Sequence, residues 1–142
     1  MQVHEKIGFG AALVFVAYLT KQDIHEKRIS LFAIILSGSI ALLYLAAGEC
    51  LEPGQVCFRS LPGVLLILVA LLSGEKIGYG DGISVLVLGL WTSAVFCLLS
   101  VTIGLFLAGI YGVILLCTGK KEREIPFLPF LLAAMEVLLI EV

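Results

Sequence analysis

Charged residues are scarce in this 142-residue chain, and only two of its acidic residues are aspartates. Lys, Arg, Asp and Glu make up 14% of the residues, whereas apolar residues make up 61%. Soluble domains are typically about 25% charged and about 45–50% apolar. The composition therefore excludes an ordinary soluble domain and predicts a single membrane-embedded domain over residues 1–142.

Three kinds of binding site have no support in the sequence pattern. The nine basic residues are spread along the chain and form no patch for nucleic acid. The four cysteines form no Cys-x-x-Cys pair, and the two histidines are expected on opposite faces of the membrane, so neither a metal site nor a cofactor is predicted. Cys50 and Cys57 share one loop, and a disulfide between them stays open.

The chain consists of uncharged segments separated by short polar loops. The 37 residues from 82 to 118 carry no charge. As one helix they would be about 55 Å long, against a hydrocarbon core of about 30 Å, so the chain must turn back. The best turn is Gly89–Ser93, with Trp91 at a membrane interface, although a turn near Ser100 divides the lengths more evenly. The other expected apolar segments are 7–20, 31–47, 61–72, with Pro62 in a first helical turn, and 130–140.

These segments predict an all-α, polytopic membrane protein with about six transmembrane helices. Loops 21–30, 73–82 and 119–125 hold seven Lys or Arg residues, and the remaining loops and termini hold two. Because basic loops stay in the cytoplasm, both termini are predicted to be extracytoplasmic. The expected location of the protein is the inner (cytoplasmic) membrane. Asp23 and Asp81 are then both on the cytoplasmic face.

The two aspartates are the candidate catalytic residues. Asp23 follows the first apolar segment, and Asp81 lies within Gly78-Tyr79-Gly80-Asp81-Gly82. A carboxylate at the edge of hydrocarbon is energetically costly, which indicates a functional role. Two adjacent carboxyls share a proton, so one activates water while the other donates to a peptide carbonyl. Gly78, Gly80 and Gly82 are expected to adopt torsions closed to other residues and to let a substrate strand approach.

These residues resemble the type IV prepilin peptidases, which are membrane aspartic peptidases of the Gly-x-Gly-Asp class. The similarity extends along the whole chain and rests on three segments: Asp23 with Arg28-Ile29, Gly78–Asp81, and Ile125–Leu131. Ser30-Leu31 departs from the family's Pro-Asn, and Ile83 stands where many members have Lys. The resemblance implies a short form without the methyltransferase region.

The resemblance further implies an endopeptidase that removes the leader peptide of prepilin or pseudopilin substrates at the cytoplasmic membrane face. Its expected partners are the substrate protein, the lipid bilayer and components of a pilus or secretion assembly. Two non-enzymatic alternatives stay open. One is an ion or proton carrier that uses Asp23 and Asp81, and the other is an inactive structural subunit of a pilus or secretion machine. The particular prepilin and the oligomeric state are not identified by the sequence.

Overall fold

The computed structural model describes residues 3–26, 30–48, 52–74, 78–119 and 127–141. Within these ranges the chain forms six helices and no strand, so the all-α prediction is confirmed. The helices are α1 (Val3–Glu26), α2 (Leu31–Ala47), α3 (Pro53–Leu72), α4 (Tyr79–Trp91), α5 (Ala94–Cys117) and α6 (Leu128–Glu141).

Three of the described helices, α1, α3 and α5, are long and apolar enough to cross a membrane. The α2 and α4 helices are apolar but shorter. Large apolar side chains are exposed on α2, α3 and α5, among them Phe32, Leu72 and Leu116. Exposed apolar surface on this scale is what a lipid-facing protein presents, and it supports a membrane location.

The bounds of α2 agree with the predicted apolar segment, but α1 and α3 are longer than expected. Since α1 continues to Glu26, Asp23 lies in a helical turn rather than in a loop. The third apolar segment was expected to begin at residue 61, after a polar turn region from Gly48 to Arg59, and this is wrong because α3 begins at Pro53. Proline suits a first helical turn because the N–H groups there have no partner within the helix, so the lack of one in proline costs nothing. Pro62, which was expected in that role, is buried inside α3.

The turn between α4 and α5 lies at the first of the two positions considered. Ser93 caps α5 by accepting a hydrogen bond from the amide of Phe96 at 3.3 Å, whereas Ser100 is buried within the helix. The position of Trp91 at a membrane interface stays a prediction, but its ring is not free to face lipid. Its ring is buried, and its Nε1 donates to Ser37 Oγ on α2 at 3.0 Å. A buried indole needs such a partner for its N–H.

The α4 helix is central and packs against α1, α2, α3 and α5. Apart from Ile83 and Leu86, every residue from Gly82 to Trp91 is buried. Its contact with α3 is antiparallel: Gly82 lies beside Ile67, and Gly89 lies beside the backbone of Arg59. These glycines let the two helix backbones approach closely, so the position of α4 is set by a tight interface.

Candidate active site

The packing of α1 on α4 brings both aspartates to the same end of the helix bundle. At the other end, Gly8 of α1 lies against the carbonyl oxygen of Trp91 in α4. Asp23 is fifteen residues beyond Gly8, and Asp81 is ten residues before Trp91. Asp23 also acts electrostatically on Asp81, so the end of α1 that carries Asp23 adjoins the beginning of α4, and the two helices run antiparallel.

Asp23 belongs to the face of α1 that packs into the bundle. Val16, Leu19 and Thr20 are buried, and Asp23 continues this stripe by one turn. The Asp23 side chain is half-buried as a whole, but its Oδ2 atom is fully buried. The packing of α1 therefore places this carboxyl oxygen against protein rather than in open solvent.

Asp81 lies in the first turn of α4, outside the three helices that are long enough to span a membrane. Its amide donates to the carbonyl of Gly78 at 3.1 Å. Its carboxyl folds back over this N-cap, because a Cβ at Gly78 would lie 3.5 Å from Asp81 Oδ2. A glycine at position 78 thus leaves the carboxyl uncovered on that side.

Asp81 is recessed below the end of the neighbouring helix. Gly82 packs beside Ile67, and α3 continues from there to Leu72. Five further residues of helix correspond to about 7.5 Å. The start of α4, which carries Asp81, therefore lies below the end of α3 along the helix axis.

The environment of Asp81 keeps a proton on its carboxyl near neutral pH. Burial, and to a lesser extent the charge of Asp23, raise the pKa of Asp81 from 3.8 to about 7. Burial disfavours the charged form, and a neighbouring negative charge disfavours it further. The two carboxyls are thus electrostatically coupled, with one able to carry the proton while the other is ionised. This is the protonation state that acid–base catalysis by a carboxyl pair requires.

The three motif glycines do not adopt unusual torsions, so that part of the expectation is wrong. Gly78 has φ −65° and ψ 134°, which other residues also adopt, while Gly80 and Gly82 are helical. The described glycines with positive φ are Gly74 and Gly119. Gly82 is buried against α3 and is required for packing. Approach of a substrate strand stays a prediction for Gly78, which is exposed, and for Gly80.

Some of the sequence-derived features lie outside the described residues. These are Arg28-Ile29, Ile125-Pro126 and Cys50. Cys57 is a free, exposed thiol on α3. Within the described ranges, no three His, Cys, Asp or Glu side chains come together as metal ligands would.

Sequence reasoning missed two residues at the ends of the bundle. Arg59 was counted as a loop charge, but its Nη1 donates to the carbonyl of Thr92 at 2.9 Å and so binds the C-terminal end of α4. Thr20 is buried one turn before Asp23, and its spacing of three residues from that aspartate was the available signal.

An acidic residue in the first turn of a helix also has a purely structural use. The partial positive charge of the helix N-terminus favours a carboxylate there by about 0.3–1 kcal/mol. The position of the Asp81 carboxyl over Gly78 is compatible with this structural role. The structural role does not account for the electrostatic coupling of Asp81 to Asp23.

Comparison of the chain with protein-family models, with characterised proteins and with solved structures gives no match.

Proposed function

We propose that this chain is a membrane-embedded aspartic endopeptidase that cleaves the leader peptide of prepilin or pseudopilin-like substrates at the cytoplasmic face of the inner membrane. The observation that carries the proposal is the electrostatic coupling of Asp23 and Asp81 at one end of the bundle. These are the only aspartates in the chain. The motif resemblance supplies the substrate class, and the position of Asp81 at one end of the bundle, outside the long apolar helices, is compatible with it.

In the proposed reaction, the ionised carboxyl removes a proton from a water molecule that attacks the scissile carbonyl carbon. The protonated carboxyl donates its proton to the carbonyl oxygen, which gives a neutral tetrahedral intermediate. Collapse of this intermediate breaks the C–N bond. The carboxyl that took a proton from water gives it to the leaving amine, and one hydroxyl of the intermediate returns its proton to the other carboxyl, so the pair again holds one proton. The pKa of Asp81, about 7, suits the donor, and Asp23 is then the base.

The proposed topology has six crossings, with both termini outside and the fourth crossing beginning at Gly82. The α4 helix of 13 residues is about 20 Å long, shorter than a hydrocarbon core of about 30 Å. Asp81 then lies at the cytoplasmic side within a depression of the membrane surface. Water can reach such a depression by local thinning of the bilayer.

The second candidate is an inactive structural subunit of a pilus or secretion machine. The first-turn position of Asp81 favours it, because a carboxylate there stabilises the helix without any chemistry. Neutralisation of Asp23 separates the two candidates, because it should abolish cleavage by a peptidase but should not destabilise a structural subunit. Asp23 lies in the last turn of its helix, where a negative charge gains nothing from the dipole.

Co-expression with a prepilin in a host without its own prepilin peptidase tests the proposal. Asp23→Asn and Asp81→Asn should each lower processing by about 10³-fold or more, while insertion into the membrane is retained. Glu26→Gln is the matched control, since Glu26 is an exposed acidic residue of the same helix end. Normal processing by either aspartate variant would falsify the peptidase and favour the structural subunit.

A further inference from the structure

The described residues contain four buried hydroxyl groups, and one of them differs from the others. Ser84, Thr92 and Ser100 each donate to the carbonyl four residues earlier, at 2.7–2.8 Å. Thr20 is only 7% exposed, and its Oγ1 has no hydrogen-bond partner among the described residues. The Thr20 hydroxyl is therefore turned away from its own helix backbone.

A buried hydroxyl without a partner costs about 1–3 kcal/mol. Helical threonines avoid this cost easily, because a second χ1 rotamer reaches the carbonyl of the preceding turn. The exposed Thr102 adopts that solution and donates to Leu98 at 2.8 Å. A buried threonine that does not make this hydrogen bond indicates that its hydroxyl has another partner in the catalytically active state.

Thr20 lies one turn deeper in the bundle than Asp23 and on the same face of α1. Residues three apart on a helix are neighbours, so the Thr20 hydroxyl and the Asp23 carboxyl lie within reach of each other after a change of rotamer. Asp81 and Tyr79 are the titratable residues on the adjoining first turn of α4. The described part of α6, which also packs on α1, carries Glu136 and Glu141 in its second half and no charge in its first turns.

We infer that Thr20 is a positioning residue for Asp23, whose ionised carboxyl accepts a hydrogen bond from the Thr20 hydroxyl in the working site. The inference rests on the proposed peptidase function. The hydrogen bond holds Asp23 as the base and leaves the shared proton on Asp81. Hydrogen bonds to ionised groups are the stronger ones, so the loss of this donor disfavours the ionised form of Asp23.

The test compares Thr20→Val, which removes the hydroxyl at nearly constant volume, with Thr20→Ser, which keeps it. Thr20→Val should lower kcat/KM for a prepilin peptide by about tenfold or more and shift the acid limb of the pH profile to higher pH. Thr20→Ser should retain most of the activity, and Thr102→Val is the control for loss of a helical hydroxyl elsewhere.

A second readout does not depend on cleavage. Carbodiimides react with protonated carboxyls, so mass spectrometry of labelled protein follows the protonation of Asp23 and Asp81 with pH. Thr20→Val should move the labelling midpoint of the pair upwards by about one pH unit, whereas Thr102→Val should not.

The outcomes separate this inference from the proposed function. If the wild-type protein cleaves and Thr20→Val cleaves and labels as the wild type does, the inference is wrong and the peptidase stands. Equal losses in Thr20→Val and Thr20→Ser also overturn it, because the hydroxyl is then not the cause. If the wild-type protein cleaves nothing at any pH, the proposed function fails, and the labelling midpoints alone decide whether Thr20 acts on the pair.

Discussion

Gly63 of α3 lies against the backbone of Leu86 in α4 so closely that a methyl group has no room between them. The contact belongs to the same antiparallel interface as Gly82 with Ile67. Because α4 begins at the Asp81 motif, this interface also sets the depth of Asp81 relative to α3. A change at Gly63 is therefore expected to affect both stability and the site.

Gly63→Ala should destabilise the protein by about 1–3 kcal/mol, because overpacking forces the two helices apart. The measurement is the thermal unfolding midpoint in detergent. Gly109→Ala is the matched control, since a Cβ at Gly109 meets nothing within 4 Å. Alanine is the better helix former, so the control should be neutral or slightly stabilised. Equal midpoints for the two variants would show that the α3–α4 contact is not tight.

Peptidase activity should depend on pH through the carboxyl pair. Activity requires one proton on the pair, and burial and the charge of Asp23 raise the pKa of Asp81 to about 7. We therefore expect kcat/KM to fall tenfold per pH unit above about 7, with a second, acidic limb where the base becomes protonated. Both limbs describe the pair rather than one residue. A profile that stays flat from pH 6 to 9 contradicts this assignment.

The raised pKa of Asp81 should also make the free energy of unfolding depend on pH. The folded protein holds a proton on Asp81 up to about pH 7, whereas the unfolded chain releases it near 3.8. Folding therefore loses stability as the pH rises through this window, by about 1.4 kcal/mol for each unit of pKa difference. Asp81→Asn removes the ionisation and should raise the unfolding midpoint at pH 8 but not at pH 3. An equal effect at both pH values would point to lost helix capping instead.

The free thiols provide a test of topology. Cys57 at the start of α3 and Cys117 at the end of α5 are both exposed and, in the proposed topology, lie on opposite faces. In single-cysteine variants, a membrane-impermeant maleimide should label Cys57 on intact spheroplasts and Cys117 only after permeabilisation. Cys97 is buried and serves as the unlabelled control. Labelling of both thiols from outside would rule out this topology.

Much of the fold could be predicted because the hydrophobic effect acts on long segments. The bounds of α2, and the need for a turn within 82–118, follow from length and charge alone, whereas the position of that turn before Ala94 was one of two possibilities. The start of α3 was missed because residues 53–60 are polar, and nothing local shows that Arg59 binds the carbonyl of Thr92. The burial of Trp91 was missed for a similar reason, since its partner Ser37 is 54 residues away.

Some features of the candidate site could likewise be predicted from the sequence, and others could not. Asp23 and Asp81 stand out because aspartate is rare in this chain, and that signal needs no structure. The packing role of Gly82 depends on Ile67 of another helix, and sequence alone does not show that contact. Thr20 was overlooked because a threonine in an apolar helix is ordinary until its hydroxyl is found without a carbonyl partner.

The most direct measurement is incubation of the purified protein with a synthetic peptide that contains a prepilin leader and the first turns of its hydrophobic helix. Mass spectrometry of the products should show one cut, just before the hydrophobic segment, with the wild-type protein and no cut with Asp81→Ala. An intact peptide after incubation with the wild-type protein, or the same cut by Asp81→Ala, would contradict the assignment of Asp23 and Asp81 as a catalytic pair.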